Sequence, residues 1–268
     1  MRRQQSPIFA RLECPRRIWA VAAIHGEAAR LADLHGQLAR VIEPGDRLVY
    51  LGNYVGIGAE ITATIDELLS FRRAFLTIPG IEPQDIVHLR GTQEEMWWKL
   101  LHVQLATSPL QVFDWMLDNG LDTTLRAYGG SADEARSRFR EGVLATTKWT
   151  GRLRDNLKAH PGHDDLLASV KRAAFSEGGE LLFVHAGVDP NRPLDAQQDI
   201  FWWGGPDFGA IRDPYDGFQR VIRGFDPDHQ GVQFGPATAS IDGGAGFGGP
   251  LTAICFDLNA EPVETLVA

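Results

Sequence analysis

The sequence predicts an α/β protein, α+β in its second half: two packed sheets flanked by helices, with a helical insertion. Three observations predict it. Residues 18–24 and 47–51 are apolar runs separated by a helical pattern, which makes a βαβ unit with parallel strands. Residues 180–257 return to short apolar runs punctuated by glycines, the text of a mixed or antiparallel second sheet. Between these halves, residues 108–174 keep helical spacing, broken at Gly120, Gly129-Gly130 and Pro161-Gly162.

The elements follow in order. Ile18-Trp-Ala-Val-Ala-Ala-Ile24 reads as a buried strand, turned by His25-Gly26. Leu31, Leu34, Leu38 and Val41 then mark a helix, broken by Pro44-Gly45. After the strand at 47–51 comes a Gly-rich loop, Leu51-Gly-Asn-Tyr-Val-Gly-Ile-Gly58, and a helix carrying Ile61, Ile65, Leu68 and Leu69. Such a strand–loop–helix turn sets side chains at the carboxyl end of a strand, where α/β folds place their sites. A third strand at 85–90 ends in Gly91-Thr-Gln-Glu-Glu-Met96, and a helix follows through Trp97, Leu100 and Leu101. Strands are expected again at 180–185, 219–224, 239–242 and 251–257. The boundaries expected are an N-terminal arm over 1–17, one domain over 18–268, and the insertion over about 108–174, which covers one rim of the site.

Composition narrows the function. An apolar fraction of 44% in 268 residues supports a sizeable core. No run of ~18 apolar residues exists, so no membrane span is expected. The first ten residues have positive charge without a following apolar region, unlike a secretory signal. Cys14 and Cys255 are the only cysteines and form no metal-type spacing, as suits a cytoplasmic protein. The net charge of -9 argues against a general nucleic-acid surface. The seven Trp, including Trp97-Trp98 and Trp202-Trp203, suit core or groove walls better than a stacking platform.

Several short motifs, taken together and in this order, resemble the signatures of the calcineurin-like metallophosphoesterases. That family includes bacterial Ser/Thr protein phosphatases and symmetric dinucleoside tetraphosphate hydrolases. Ala22-Ala-Ile-His-Gly26 stands where the family has G-D-x-H-G, and the loop at 52–58 where it has G-D-x-x-D-R-G. Gly91-Thr-Gln-Glu94 resembles G-N-H-E, and Val184-His-Ala-Gly187 matches V-H-A-G fully. Trp202-Trp203-Gly204 resembles W-I-R, and Val221-Ile-Arg-Gly-Phe-Asp-Pro227 resembles V-x-H-G-H-x-P. Asp242 through Ala253 resembles D-T-G-x-x-x-G-G-x-L-T-A. The resemblance implies a metallophosphoesterase-like two-sheet sandwich from about Ile18 to Phe256.

What it implies for chemistry is different. The family's activity uses two divalent metals, and the ligand positions fall on Ala23, His25, Asn53, Thr92, His185 and Arg223. Only His25 and His185 keep a ligand of the family's type. Ala23 has no donor atom, Asn53 is neutral, Thr92 is a weak ligand and Arg223 is a permanent cation. Hard dications rely on anionic oxygen ligands, so no metal centre and no cofactor is expected; an active form would use Mn or another divalent metal. The general-acid position is Gln93, its orienting partner Gly56, and the phosphate-clamping positions are Ile57 and Gly204. Gly26, Gly52, Gly58, Gly91, Gly187 and Gly224 all stand where the family has glycine. Turn geometry is retained where side-chain chemistry is lost.

The reading is a catalytically degenerate, phosphatase-like protein that binds an unknown protein or phosphorylated ligand as a regulator or scaffold. The alternatives are an active enzyme with an altered, mononuclear site on His25 and His185, and a structural subunit working through its helical region. Arg223 with His25, His185 and Gln93 is a candidate anion site. The plainer expectation is that the two histidines are held by internal hydrogen bonds and that Arg223 pairs with a carboxylate such as Glu94 or Glu95, or turns to solvent. The run Asp242-Gly-Gly-Ala-Gly-Phe-Gly-Gly249 lacks a following helix and reads as a turn, not a dinucleotide fingerprint.

Overall fold

The computed structural model describes residues 8–205 and 208–268. Along the chain come β1 (Phe9–Leu12), β2 (Ile18–Val21), α1 (Ala28–Val41), β3 (Arg47–Tyr50), α2 (Ile61–Phe75), β4 (Ile86–His88) and α3 (Thr92–Leu101). The insertion supplies α4 (Pro109–Asp118), α5 (Leu121–Ala127), α6 (Ala132–Glu141), α7 (Val143–Ala159) and α8 (His163–Ser169). Then follow β5 (Ala173–Ser176), β6 (Leu181–Val184), α9 (Ile200–Trp203), β7 (Arg220–Arg223), β8 (Gln233–Phe234), β9 (Thr238–Ser240), β10 (Thr252–Phe256) and β11 (Pro262–Val267).

Two sheets pack face to face. The first has the order β11-β10-β2-β3-β4 and the second β1-β5-β6-β7-β9-β8. Strand alternation builds three apolar layers from these sheets. Ile18 and Ala20 of β2 point between the sheets, where they meet Val49, Phe183, Ile222 and Phe256. Trp19 and Val21 point the other way, onto Leu31, Leu34 and Leu38 of α1 and Ile61, Ile65 and Leu68 of α2. Those three leucines fall at helical spacing and are fully buried, each contributing about 2 kcal/mol. Phe113, Leu125, Trp149 and Leu153 extend the same layer into the insertion. The outer face of the second sheet is covered by Leu194, Phe201, Phe208 and Tyr215.

Three expectations are corrected. β10 does not join the later strands: it pairs antiparallel with β2, from Ala253↔Val21 to Phe256↔Ile18, and with the unexpected β11 it extends the first sheet. The expected arm over 1–17 contains β1, which pairs in parallel with β5 from Phe9↔Ala173 to Leu12↔Ser176; residues 1–7 lie outside the described residues. The insertion's helices end at Ser169, and Ala173 and Ala174, expected within it, begin β5. β1 and β5 have four residues each, too few for a pattern to stand out in sequence.

The topology decides where the candidate residues lie. β2 and β3 are parallel and in register, Val21 beside Tyr50, so the loops after them leave the same edge. β6 and β7 are parallel in the facing sheet, Val184 beside Arg223, which brings His185 and Arg223 to one edge of it. No helix among the described residues is long and apolar enough to cross a membrane.

Candidate functional site

The loop after β3 is held by a side chain, Glu94, in the first turn of α3. Its carboxylate accepts the backbone N–H groups of Asn53, Tyr54 and Gly91, each at 2.8 Å, and of Val55 at 3.3 Å. Burial pushes this carboxyl up, and the four N–H donors pull it partly back. The approach is close enough to demand glycine at Gly91, where a Cβ would lie 2.3 Å from the Asn53 nitrogen. His25 and Asn53 both adopt left-handed backbone, at φ 55° and 53°. Non-glycine residues held there mark strain that the surrounding structure must overcome. Both loops are tied together, since Ile24 N–H donates to the Asn53 carbonyl at 3.1 Å and Gly26 N–H to that of Tyr54 at 3.0 Å.

This geometry brings His25, Asn53, Thr92 and His185 into one buried cleft. The Asn53 amide lies 3.2 Å from His25 Nε2, and its Oδ1 accepts from the Gln93 N–H at 2.9 Å. His185 donates from Nδ1 to the Leu51 carbonyl at 2.6 Å. Its Nε2 lies 3.1 Å from the Thr92 hydroxyl, which is also 2.5 Å from the Trp202 carbonyl. One hydroxyl proton therefore faces two acceptors. Burial is the main reason that His25 is lowered to about 3, with the fields of His185 and His229 adding to it. Burial likewise lowers His185 to about 4, partly opposed by the Leu51 carbonyl. Both rings are neutral at pH 7.

Phe225 closes the cleft. Its ring stacks on His185 at 5.2 Å and 7°, and its centroid is 5.6 Å from that of His25. Phe247 meets His25 edge-on at 5.2 Å, and His229 lies 3.9 Å from Phe247. Neither phenylalanine was singled out in the sequence. The signal for Phe225 was present, because it occupies the second His position of V-x-H-G-H-x-P.

The other expected positions are drawn elsewhere. Gln93 turns its amide to the Asn119 carbonyl at 2.8 Å, linking α3 to the insertion, and its Oε1 is buried without a partner. Gly56 leaves room for that side chain, since a Cβ there would lie 2.6 Å from it. Ile57 packs against Gly120, and Gly204 ends α9 beside Ala186 and Pro227. Ala23 is buried, its N–H given to the Gly224 carbonyl at 2.9 Å. Arg223 does pair with a carboxylate, Asp226 rather than Glu94 or Glu95. Its Nη2 is 2.8 Å from Asp226, its Nε donates to the Ser240 hydroxyl at 3.2 Å, and its guanidinium lies 4.5 Å from the Phe208 ring centre. Burial lowers its pKa, opposed by Asp226 and Asp242. Glu95 pairs instead with Arg90 at 3.0 Å and Lys99 at 3.5 Å.

The donors present do not fit two dications. Among the described residues, no three His, Cys, Asp or Glu side chains converge as a metal-holding group. Both His185 nitrogens are engaged, and Asn53 is spent on His25 and Gln93. Among the described residues, His25 Nδ1 and Gln93 Oε1 are buried without a hydrogen-bond partner.

No family model matches the chain, and no curated protein does. Solved structures do. A candidate diadenosine tetraphosphatase is similar at TM-score 0.58 and 16% identity, over 97% of this chain and 98% of that one. A protein serine/threonine phosphatase from Saccharomyces cerevisiae, with similarity to human phosphatase PP5, gives TM-score 0.56 and 16% identity over 98% and 85%. The cold-active protein-tyrosine phosphatase of a psychrophilic Shewanella gives 0.55 and 12% over 98% and 83%. At such identities the similarity shows a shared fold.

Proposed function

We infer, for a chain with the calcineurin-like metallophosphoesterase fold, a function exercised by binding rather than by hydrolysis. The protein acts as a regulator or scaffold that keeps a phosphatase-type frame without its metal chemistry. One observation carries this reading: the cleft's surviving histidines are absorbed into the protein's own packing. His185 is bonded at both nitrogens, and Phe225 lies against both rings. Proton transfer has no agent either, because Gln93 does not titrate and is bound to Asn119. With Arg223 neutralised by Asp226, an anion entering the cleft would have to displace an existing ion pair.

A second reading has one observation in its favour. His25 Nδ1 has no hydrogen-bond partner, and it would hold a single metal, in an altered, mononuclear phosphoesterase, once its proton moved to Nε2 and the Asn53 amide turned away. Metal content per chain separates the two, measured on protein from Mn-supplemented growth together with aryl phosphate hydrolysis. The binding reading expects almost no metal and no turnover. About one metal per chain, with turnover lost in His25→Ala, would establish the second reading. Two metals per chain would overturn both.

A further inference from the structure

Two consecutive carboxylates of α2 each begin a chain of hydrogen bonds that runs through a histidine to a tyrosine. Glu67 Oε1 lies 2.6 Å from His35 Nδ1 in α1, and His35 Nε2 lies 2.8 Å from the Tyr50 hydroxyl in β3. Asp66 Oδ1 lies 3.2 Å from His163 Nε2 in α8, and His163 Nδ1 lies 2.8 Å from the hydroxyl of Tyr128, which caps α5. A carboxylate only accepts, and burial pushes both phenols up so that they keep their protons. Each ring is therefore neutral, donating to its carboxylate and accepting from its phenol, and burial is the main reason that it resists a further proton.

The two chains differ in what surrounds them. His35 lies in the core between α1, α2 and β3, stacked on Phe71 at 3.9 Å and 17°. Releasing it would require α1 or α2 to leave the sheet. His163 is also fully buried but stands at a corner of the insertion. α7 ends at Ala159, Gly162 turns the chain with left-handed backbone at φ 82°, and α8 is seven residues long. His163 and Leu166 are the two buried residues of α8, so releasing His163 leaves little to hold that helix down. A cavity of about 490 Å³, in whose wall Asp66 stands with Glu67, Arg73 and Pro161, opens beside the corner.

We propose that His163 is an acid-operated latch: a second proton on its ring releases α8 from α2, while the His35 chain stays closed. That proton makes Nδ1 a donor. The Tyr128 oxygen accepts it only by turning its own proton away, and no other acceptor meets that hydroxyl among the described residues, so a buried O–H is stranded. Asp66 favours the charged ring, but its side chain is 66% exposed and water screens it. The other titratable group facing the ring is His160, stacked on it at 4.9 Å and 28°, whose charge opposes a charge on His163; Glu94 acts on Tyr128 from α3. In the released corner the ring meets water and titrates near its ordinary value, about 6.5, so falling pH favours release. The latch shares no hydrogen bond with the histidine cleft and holds whichever reading of that cleft is correct.

The test is hydrogen exchange of the full chain at about pH 7.5 and about pH 5, read by mass spectrometry and corrected for the intrinsic rate. At the lower pH residues 160–169 exchange several-fold faster, up to the ~30-fold that a free ring titrating near 6.5 allows, and residues 31–38 of α1 change less. In His163→Phe, shown to be folded by circular dichroism, the pH ratio at 160–169 falls to that at 31–38. In Asp66→Asn the NMR titration of the His163 ring moves to lower pH, because the carboxylate acts on that equilibrium through its charge; a merely structural contact would leave it in place. Three results overturn the proposal: no faster exchange of 160–169 at the lower pH, the same pH ratio retained in a folded His163→Phe variant, or a His163 titration that Asp66→Asn leaves unmoved. If His163→Phe does not fold, the Asp66→Asn titration decides.

Discussion

Glu94→Ala tests what holds the site loop. The carboxylate is the acceptor for four backbone N–H groups, three of them at 2.8 Å. The residue is 3% exposed, so water does not replace it without rearrangement. Stranding a buried donor costs about 1 kcal/mol at the low end, so four give about 4 kcal/mol. Removing a carboxyl that burial already disfavours offsets part of this, leaving a net loss of about 3 kcal/mol. For a chain of this size that lowers Tm by roughly 6–12 °C. Chemical denaturation followed by Trp fluorescence gives the free energy directly. Glu94→Gln keeps one acceptor oxygen but turns an NH₂ donor towards two N–H donors, so it recovers no more than half. A loss below about 1 kcal/mol in Glu94→Ala, or Glu94→Gln as stable as wild type, would refute the argument that this side chain holds the loop.

Buried neutral histidines make stability depend on pH. His25 and His88 are lowered to about 3 and His185 to about 4, in each case chiefly by burial. The unfolded rings titrate near about 6.5, so between there and about pH 4 the unfolded chain binds more protons. Stability is therefore full above about pH 7 and falls as pH drops, by up to about 1.4 kcal/mol per unit per ring. Denaturation midpoints from pH 7.5 to 4.5 check this; His88→Phe flattens the slope, and a flat wild-type profile contradicts neutral burial. Phe225→Ala costs about 2 kcal/mol, being half-buried, and admits water to the cleft, raising the His185 pKa in an NMR titration. An unmoved His185 would show that Phe225 does not exclude water. Gly91→Ala costs about 3 kcal/mol through the clash with Asn53, whereas Gly36→Ala, mid-helix with open space, gains up to about 1 kcal/mol. Equal melting temperatures for the two variants would contradict both assignments.

The sequence by itself determined most of the helices and strands, the glycine turns and which residue types stand at the candidate ligand positions. Leu31, Leu34 and Leu38 announce a buried helical face, and Gly52 and Gly91 announce tight turns, because period and backbone freedom are local properties. The identity of Asn53, Thr92 and Arg223 is likewise written in the chain. Their partners are not. Tertiary structure decided that β10 joins β2 rather than the later strands, since an apolar strand is compatible with either sheet until its neighbours are in place. It also revealed β1, β5 and β11, short strands whose pairing rather than pattern defines them. It decided that Arg223 meets Asp226, three residues on, and that the Phe225 ring lies against two histidines from distant segments. Side-chain partnership is settled by packing across the sandwich, and the free energy of that packing belongs to no single stretch of sequence.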